Sequence, residues 1–271
     1  MECKKADYHV HSIISPDAKV PMIEMCESAY QKGLSEIVFT DHYEFYAHGI
    51  KSQYFHDEYI KGYFRELEKC REFFDGKLLL KSGMEFGQPH LEMEKSKEIL
   101  DQYQFDYLIG SVHKLDNIDL EKLEYREETV HNIAERYYLE LLKLSEQGEF
   151  DCMGHLDLFK RHACRHGFPD EFERHELTIR RILKNLIERG KGIEINTSGI
   201  RQEAKEAMPS LTILKMYKEL GGKIITVGSD AHQPQDIGAD FDIAYELLRL
   251  AGFDCIMSYN KREASAVFIE E

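Results

Sequence analysis

The chain lacks any apolar run approaching the ~18 residues a membrane-spanning helix requires. Its opening stretch, Met-Glu-Cys-Lys-Lys-Ala-Asp-Tyr, has neither an apolar h-region nor a small-residue cleavage site, so a cytoplasmic protein is expected. Basic clusters are missing as well: 35 Lys and Arg against 50 Asp and Glu leave a net charge of −15. That balance argues against a nucleic-acid partner, whose phosphates need concentrated positive charge. There is no C-x-x-C pair. The six cysteines (Cys3, Cys26, Cys70, Cys152, Cys164, Cys255) are scattered, which fits reduced thiols better than a disulfide framework or a thiolate zinc site. No Pro/Gly/Ser-rich linker, internal repeat or low-complexity tract divides the 271 residues, so a single domain over 1–271 is expected. Nothing in the pattern sets an oligomeric state.

What the chain does have is alternation. Strand-like apolar runs lie near Ala6 to His11, Glu36 to Thr40, Leu78 to Glu85, Tyr107 to Val112, Phe150 to Gly154, Gly192 to Asn196 and Lys223 to Gly228, with Phe253 to Ser258 as an eighth candidate. Between them run amphipathic helical stretches such as Val20 to Lys32, Tyr59 to Phe74 and Thr129 to Gln147. This is the signature of βαβ units and a parallel sheet, and the length suits one α/β barrel. Long loops from Tyr43 to Asp57 and from Lys114 to Glu128 follow strand ends and are expected to rim a site.

Metal-competent side chains recur at those strand ends: Asp7, His9 and His11; Asp41 and His42; Glu85; His113; His155; Glu194 and Asn196; Asp230 and His232. In a parallel barrel every strand's C-terminal end opens on one face, so residues far apart in sequence converge there. Alternate strand residues share a side, which would put Asp7, His9 and His11 together, with two imidazoles able to hold one ion and Asp7 placed to orient one of them. Glu85 ends a buried run, where a carboxylate without a cation carries a heavy desolvation penalty.

The set resembles the PHP (polymerase and histidinol phosphatase) superfamily over nearly the whole chain, and within it the histidinol-phosphate phosphatase family. The residues that carry this are Asp-Tyr-His-Val-His-Ser at 7–12 with Ser15 and Asp17, Thr-Asp-His at 40–42 and Gly-Met-Glu-Phe-Gly at 83–87. The others are Gly-Ser-Val-His at 110–113, Gly-His-Leu-Asp-Leu-Phe-Lys-Arg at 154–161, Glu-Ile-Asn-Thr-Ser-Gly at 194–199 and Gly-Ser-Asp-Ala-His at 228–232. The resemblance implies a distorted (β/α)7 TIM-like barrel with its active site at the C-terminal ends of the strands. It implies two to three divalent transition metals (Zn, Mn or Fe) per chain: one bound by His9, His11, Glu85 and Asp230, a second by Glu85, His113 and His155, a third by Asp17, His42 and His232. Many superfamily members carry histidine where Asp17 falls. Glu85, Asp230 and His232 are expected to act in the reaction, Asp7, Asp41 and Glu194 to support the ligands, and Arg161, Arg201 and Asn196 to bind phosphate or substrate.

Such ions would exceed the charge of Asp17, Glu85 and Asp230, giving an acidic chain a local anion hole where water is deprotonated and phosphoryl oxygens are polarised. The expected reaction is hydrolysis of a small phosphate monoester, L-histidinol phosphate, with Tyr43, Glu44, Tyr46, Asp116 and Asp119 of the loops available to its imidazole and ammonium. Two other readings are another phosphate ester (nucleotide, sugar phosphate or phosphotyrosine) and a metal-stabilised binding module without catalysis. His48, His56, His90, His131, His162, His166 and His175 fall on helices or loops and receive no role.

Overall fold

The computed structural model describes residues 5–50, 52–169 and 171–269. In chain order the strands are β1 (Ala6–Val10), β2 (Glu36–Phe39), β3 (His42–Glu44), β4 (Leu79–Gly87), β5 (Tyr107–Ser111), β6 (Lys114–Leu115), β7 (Ile118–Asp119), β8 (Cys152–Met153), β9 (Gly192–Asn196), β10 (Ile225–Gly228), β11 (Cys255–Asn260) and β12 (Glu263–Phe268). The helices are α1 (Met22–Gln31), α2 (Asp57–Phe73), α3 (Met93–Gln102), α4 (Val130–Gln147), α5 (Phe159–Arg165), α6 (Phe172–Glu188), α7 (Ser198–Arg201), α8 (Leu211–Glu219) and α9 (Phe241–Ala251). Each long helix turns one apolar face inward: Ile60, Tyr63, Leu67 and Cys70 of α2 and Ile133, Tyr137, Leu141 and Leu144 of α4 are all buried.

Seven strands pair in parallel in the order β1-β2-β4-β5-β8-β9-β10. The ring closes through a single parallel bridge, Val10 to Ala231, with His11 N donating to Ala231 O at 2.9 Å. This is the expected (β/α)7 barrel. The eighth candidate strand, Phe253 to Ser258, is not a barrel strand. β11 pairs only with β12, antiparallel, across a two-residue turn in which Lys261 and Arg262 both have positive φ. Such a turn matches the twist of a hairpin, but the sequence there carries none of the usual Asn-Gly or Asp-Gly signal. The hairpin seals the end of the barrel opposite the strand C-termini. Tyr259 packs against Tyr107 with ring centroids 4.9 Å apart, its backbone N–H donates to Tyr8 Oη at 2.7 Å, and Lys81, Glu36 and Ser258 complete a buried polar network.

The two rim loops are more ordered than their composition indicates. The first contains β3, which extends β4 in parallel by pairing His42 with Glu85, and the second contains the β6–β7 hairpin. No described helix is long and apolar enough to cross a membrane. Cys26, Cys70, Cys152, Cys164 and Cys255 are free thiols, and Cys3 lies outside the described residues.

Candidate metal centre

Strand alternation fails at β1, and the failure shapes the site. The register against β2 slips between Asp7 and Val10, so three residues of β1 are matched by two of β2. As a result Tyr8 and His9 both enter the barrel, Tyr8 towards Tyr107 and His9 towards His155, with ring centroids 5.1 and 5.7 Å apart. Asp7 is turned away from the imidazoles, which corrects the expectation that it shares their face. Its carboxylate accepts from Ser229 N at 2.9 Å, from the Ser229 hydroxyl and from Gly238 N at 2.9 Å, pinning the turn that presents Asp230.

Ring orientation falls to other groups. His9 Nδ1 donates to Glu194 Oε1 at 2.6 Å, and His113 Nδ1 to Glu44 Oε1 at 2.6 Å. Asp41 accepts from the Ser12 and Ser15 hydroxyls at 2.9 and 2.8 Å, and Ser15 Oγ in turn lies 3.1 Å from His11 Nδ1. Asp41 therefore acts on His11 through Ser15. Burial pushes the Asp41 carboxyl up to about 6, against the hydrogen bonds from Ser12 and Ser15. Gly228 is required by close approach, since a Cβ there would collide with Glu194 and His9.

These contacts assign the tautomers. A carboxylate only accepts, so His9 Nδ1 carries the proton, and the Ser15 hydroxyl, spent on Asp41, takes its hydrogen bond from His11 Nδ1. In the neutral rings both Nε2 atoms are then bare lone pairs. They face each other at 3.0 Å, with Glu85 Oε2 at 3.2 and 3.5 Å and Asp230 Oδ1 at 3.7 and 3.4 Å. Four acceptors aimed at one point require a cation. Across the Glu85 carboxylate the pattern repeats: Oε1 lies 3.0 Å from His113 Nε2 and 2.9 Å from His155 Nε2. At the rim, Asp17 Oδ2 is 3.2 Å from both His42 Nε2 and His232 Nε2, and the ligand atoms of His11, His42 and His232 lie within 4.8 Å of one another. His42 Nδ1 sits 2.9 Å from Glu85 Oε2 yet makes no hydrogen bond, a buried orphan that a shared cation would satisfy. The donor set is entirely N and O, which suits Zn, Mn or Fe alike.

The titrations express the same demand. Burial would raise the Glu85 carboxyl, yet His113, His9 and His42 hold it well below the usual range; burial likewise opposes at Asp230, where His9, His11, Arg161 and His232 together outweigh it. Burial disfavours protonation of His9, but Glu194, Glu85 and Asp230 raise it well above 6.5, so without metal His9 takes up a proton, whereas burial and the neighbouring His232 and His42 lower His11 to about 3. His155 and Asp230 both have positive φ (23° and 55°), backbone strain of about 1–3 kcal/mol each that is characteristic of functional positions.

A cavity of about 620 Å³ opens above this cluster, lined by Asp17, His42, Glu85, His113, His155, Asp230 and His232, with Arg161 at one wall. Arg161 Nη2 donates to Ser198 Oγ at 2.6 Å and Asp230 Oδ2 at 3.1 Å, while its buried Nε has no partner. Arg201 departs from expectation. It is outside the lining, paired with Asp240 (3.1 Å) and Asp236 (3.4 Å) and donating to Ser229 O, so it braces the β10 turn instead of facing a phosphate. Asn196 is also behind the wall, accepting from Ser198 N and Oγ at 3.0 and 2.6 Å. Among the loop candidates, Tyr43 is buried and Asp116 is exposed beside Arg136, and neither lines the cavity; Tyr46 and Asp119 do. Glu44 lines it but is committed to His113 and Lys114. His162, given no role from sequence, lines it too.

The PHP domain model matches residues 7–198, and the chain belongs to the PHP domain family. Within that family it groups with histidinol-phosphatases. It is 34% identical to a probable histidinol-phosphatase of Clostridium acetobutylicum over 89% of this chain and 91% of that one, and 30% identical to the histidinol-phosphatase of Lactococcus lactis over 95% of each. Among solved structures, histidinol phosphate phosphatase from Lactococcus lactis, complexed with Zn, L-histidinol and phosphate, superposes with a TM-score of 0.82 at 27% identity, covering 97% of this chain and 99% of that one.

Proposed function

We propose that residues 1–271 form a single-domain, cytoplasmic phosphomonoesterase that depends on two to three divalent transition metals and hydrolyses L-histidinol phosphate to L-histidinol and phosphate. The observation that carries the reading is the pair of bare imidazole nitrogens 3.0 Å apart beside Glu85 and Asp230, two carboxylates that line an open cavity. The free, scattered cysteines support the cytoplasmic setting. The Lactococcus relative, bound to Zn, L-histidinol and phosphate, supports the choice of ester.

When bound, the ions supply Lewis-acid polarisation of the phosphoryl group and lower the pKa of a water molecule. His9, His11, Glu85 and Asp230 hold one position, Glu85, His113 and His155 a second, and Asp17, His42 and His232 a third. Glu194, Glu44 and the Ser15–Asp41 pair keep His9, His113 and His11 in the tautomer that leaves Nε2 free to ligate. Arg161 grips a phosphoryl oxygen with the guanidinium face not spent on Ser198 and Asp230. Turnover would then depend most on Glu85, Asp230 and His232, which both belong to the donor sets and line the cavity.

The test is side-by-side kinetics at fixed metal. L-histidinol phosphate should exceed 4-nitrophenyl phosphate, ribose phosphate and phosphotyrosine in kcat/KM by at least about a hundredfold, roughly 2.7 kcal/mol of differential transition-state binding. Comparable rates across the panel would reduce the chain to a general phosphoesterase. No turnover of any ester by the metal-loaded protein would leave a binding module.

A further inference from the structure

His162 of α5 and His166, the residue that caps α5, stand four residues apart, and Tyr125 lies against both, its ring stacked on His162 (6.2 Å, 19°) and on His166 (5.1 Å, 13°). Tyr125 is itself fixed, its hydroxyl donating to Leu120 O at 3.0 Å. The two histidines differ in what they face. His166 is exposed and away from the cavity, whereas His162 is half-buried and forms part of the cavity wall next to Arg161. Among the described residues, the His162 ring nitrogens make no hydrogen bond to the protein, so the ring has its donor and its acceptor left for whatever fills the cavity it lines.

Most of the other charged groups of the wall are already paired, Glu121 being the exception among the described residues. Asp119 is paired with Lys114 and Lys122, Glu44 with His113 and Lys114, and Arg161 with Ser198 and Asp230. We infer that His162 is the specificity residue that accepts a hydrogen bond from a protonated nitrogen of the substrate, beyond the phosphate held at Arg161. This rests on the proposed histidinol-phosphate reading. Burial, and then the charges of Arg161 and Arg165, lower the His162 pKa to about 3, so the ring is neutral at physiological pH and free to accept. A neutral acceptor gives a cationic nitrogen a charge-assisted bond, a sugar hydroxyl only a weaker uncharged one, and an aryl phosphate nothing. The substrate offers two such nitrogens, on its ammonium and on its imidazole.

The experiment uses the metal-loaded full chain and His162→Phe, which keeps the ring stacked on Tyr125 while deleting both nitrogens, with His166→Phe as control. For His162→Phe, kcat/KM on L-histidinol phosphate should fall at least about 30-fold, the scale on which an unmade hydrogen bond to a polar substrate group is felt. Turnover of 4-nitrophenyl phosphate and inhibition by inorganic phosphate should stay within about threefold, and His162→Gln should recover part of the loss. Calorimetric binding of L-histidinol in the presence of phosphate should weaken in parallel. A penalty that vanishes on the deamino analogue places the contact on the ammonium, and one that vanishes on phosphoethanolamine places it on the imidazole. Equal losses on every ester, or none on L-histidinol phosphate, would overturn the inference. Absence of any preference for L-histidinol phosphate in the wild type would instead overturn the functional reading beneath it.

Discussion

Replacing Glu85 with Gln changes one oxygen for an amide and removes one charge, and the site is built so that this charge is shared. Oε2 lies 3.2 Å from His9, 3.5 Å from His11 and 2.9 Å from His42, while Oε1 lies 3.0 Å from His113 and 2.9 Å from His155. Five imidazoles thus depend on one carboxylate, which is fully buried. A unit charge about 4 Å from another contributes about 4 kcal/mol at an effective dielectric near 20. Part of that falls on metal affinity and part on the transition state. Loss of a key electrostatic group lowers turnover by about 10²–10³, and a loss of at least a hundredfold is expected here, together with reduced metal content. Elemental analysis of gently purified protein, paired with kcat on L-histidinol phosphate at saturating metal, separates the two components. Near-normal turnover with full metal content would show that Glu85 does not bridge two ion positions, and the assignment of the donor sets would fall with it.

Chelation should abolish activity and lower Tm, because an ion that binds only the folded chain stabilises it by mass action; unchanged activity after chelation, at less than one metal per chain, would refute a metal mechanism. Arg161→Ala should lower kcat/KM by about 1.5–3 kcal/mol equivalent without loss of metal, and equal phosphate inhibition of mutant and wild type would return Arg161 to a solvated role. Gly87→Ala should act at a distance, since a Cβ there would strike the Glu44 carboxylate that holds His113 and Lys114; a loss of about 10–100-fold in activity or metal affinity is expected, measured with a metal titration. In the metal-free chain, burial opposes the His113 proton but Glu44 and Glu85 outweigh it, raising the pKa from 6.5 to about 9. A pKa raised by folding gives stability that is complete below 6.5 and lost as pH rises through 9. Thermal denaturation should therefore show the metal-free protein weakening across that window and the metal-loaded protein, whose ligands are already deprotonated, resisting it.

The barrel was legible because its signal is periodic: seven apolar runs at regular intervals, each ending in a residue that chemistry uses, leave little choice of topology. Eight of the nine expected donors stand at or just past strand ends, while Asp17 lies in a loop and, like the grouping of the nine, came from the family resemblance. What escaped the sequence depended on backbone geometry that side-chain identity does not encode. The bulge that turns Asp7 away from His9 has no local signature, so a strict two-residue period misplaced it. Arg201 and Asn196 sit in the right motif, yet Asp236 and Asp240, which claim Arg201, come from a turn that only the fold brings near, and Ser198, which claims Asn196, is two residues away in the same motif. Glu44 was read as a substrate contact because β3 was not foreseen, and the pairing of β3 with β4 is what aims Glu44 at His113. His162 was set aside because a histidine on a helix looks ordinary until the cavity is in view.

The barrel's seam has a thermodynamic consequence. Among the described residues, the only backbone bridge between β1 and the segment leaving β10 is Val10 to Ala231, at the mouth, and the side-chain ties between Asp7 and Ser229 span 222 residues of chain. His9 and His11 stand on one side of that seam, Asp230 and His232 on the other. An ion drawing ligands from both sides is therefore a covalent-like clasp on a very large loop, and closing such a loop carries an entropic penalty that grows only as the logarithm of its length. Cofactor uptake then doubles as the latch of the cylinder. Amide exchange in β1 should be the first to quicken when the latch is opened, well before the helices around it loosen.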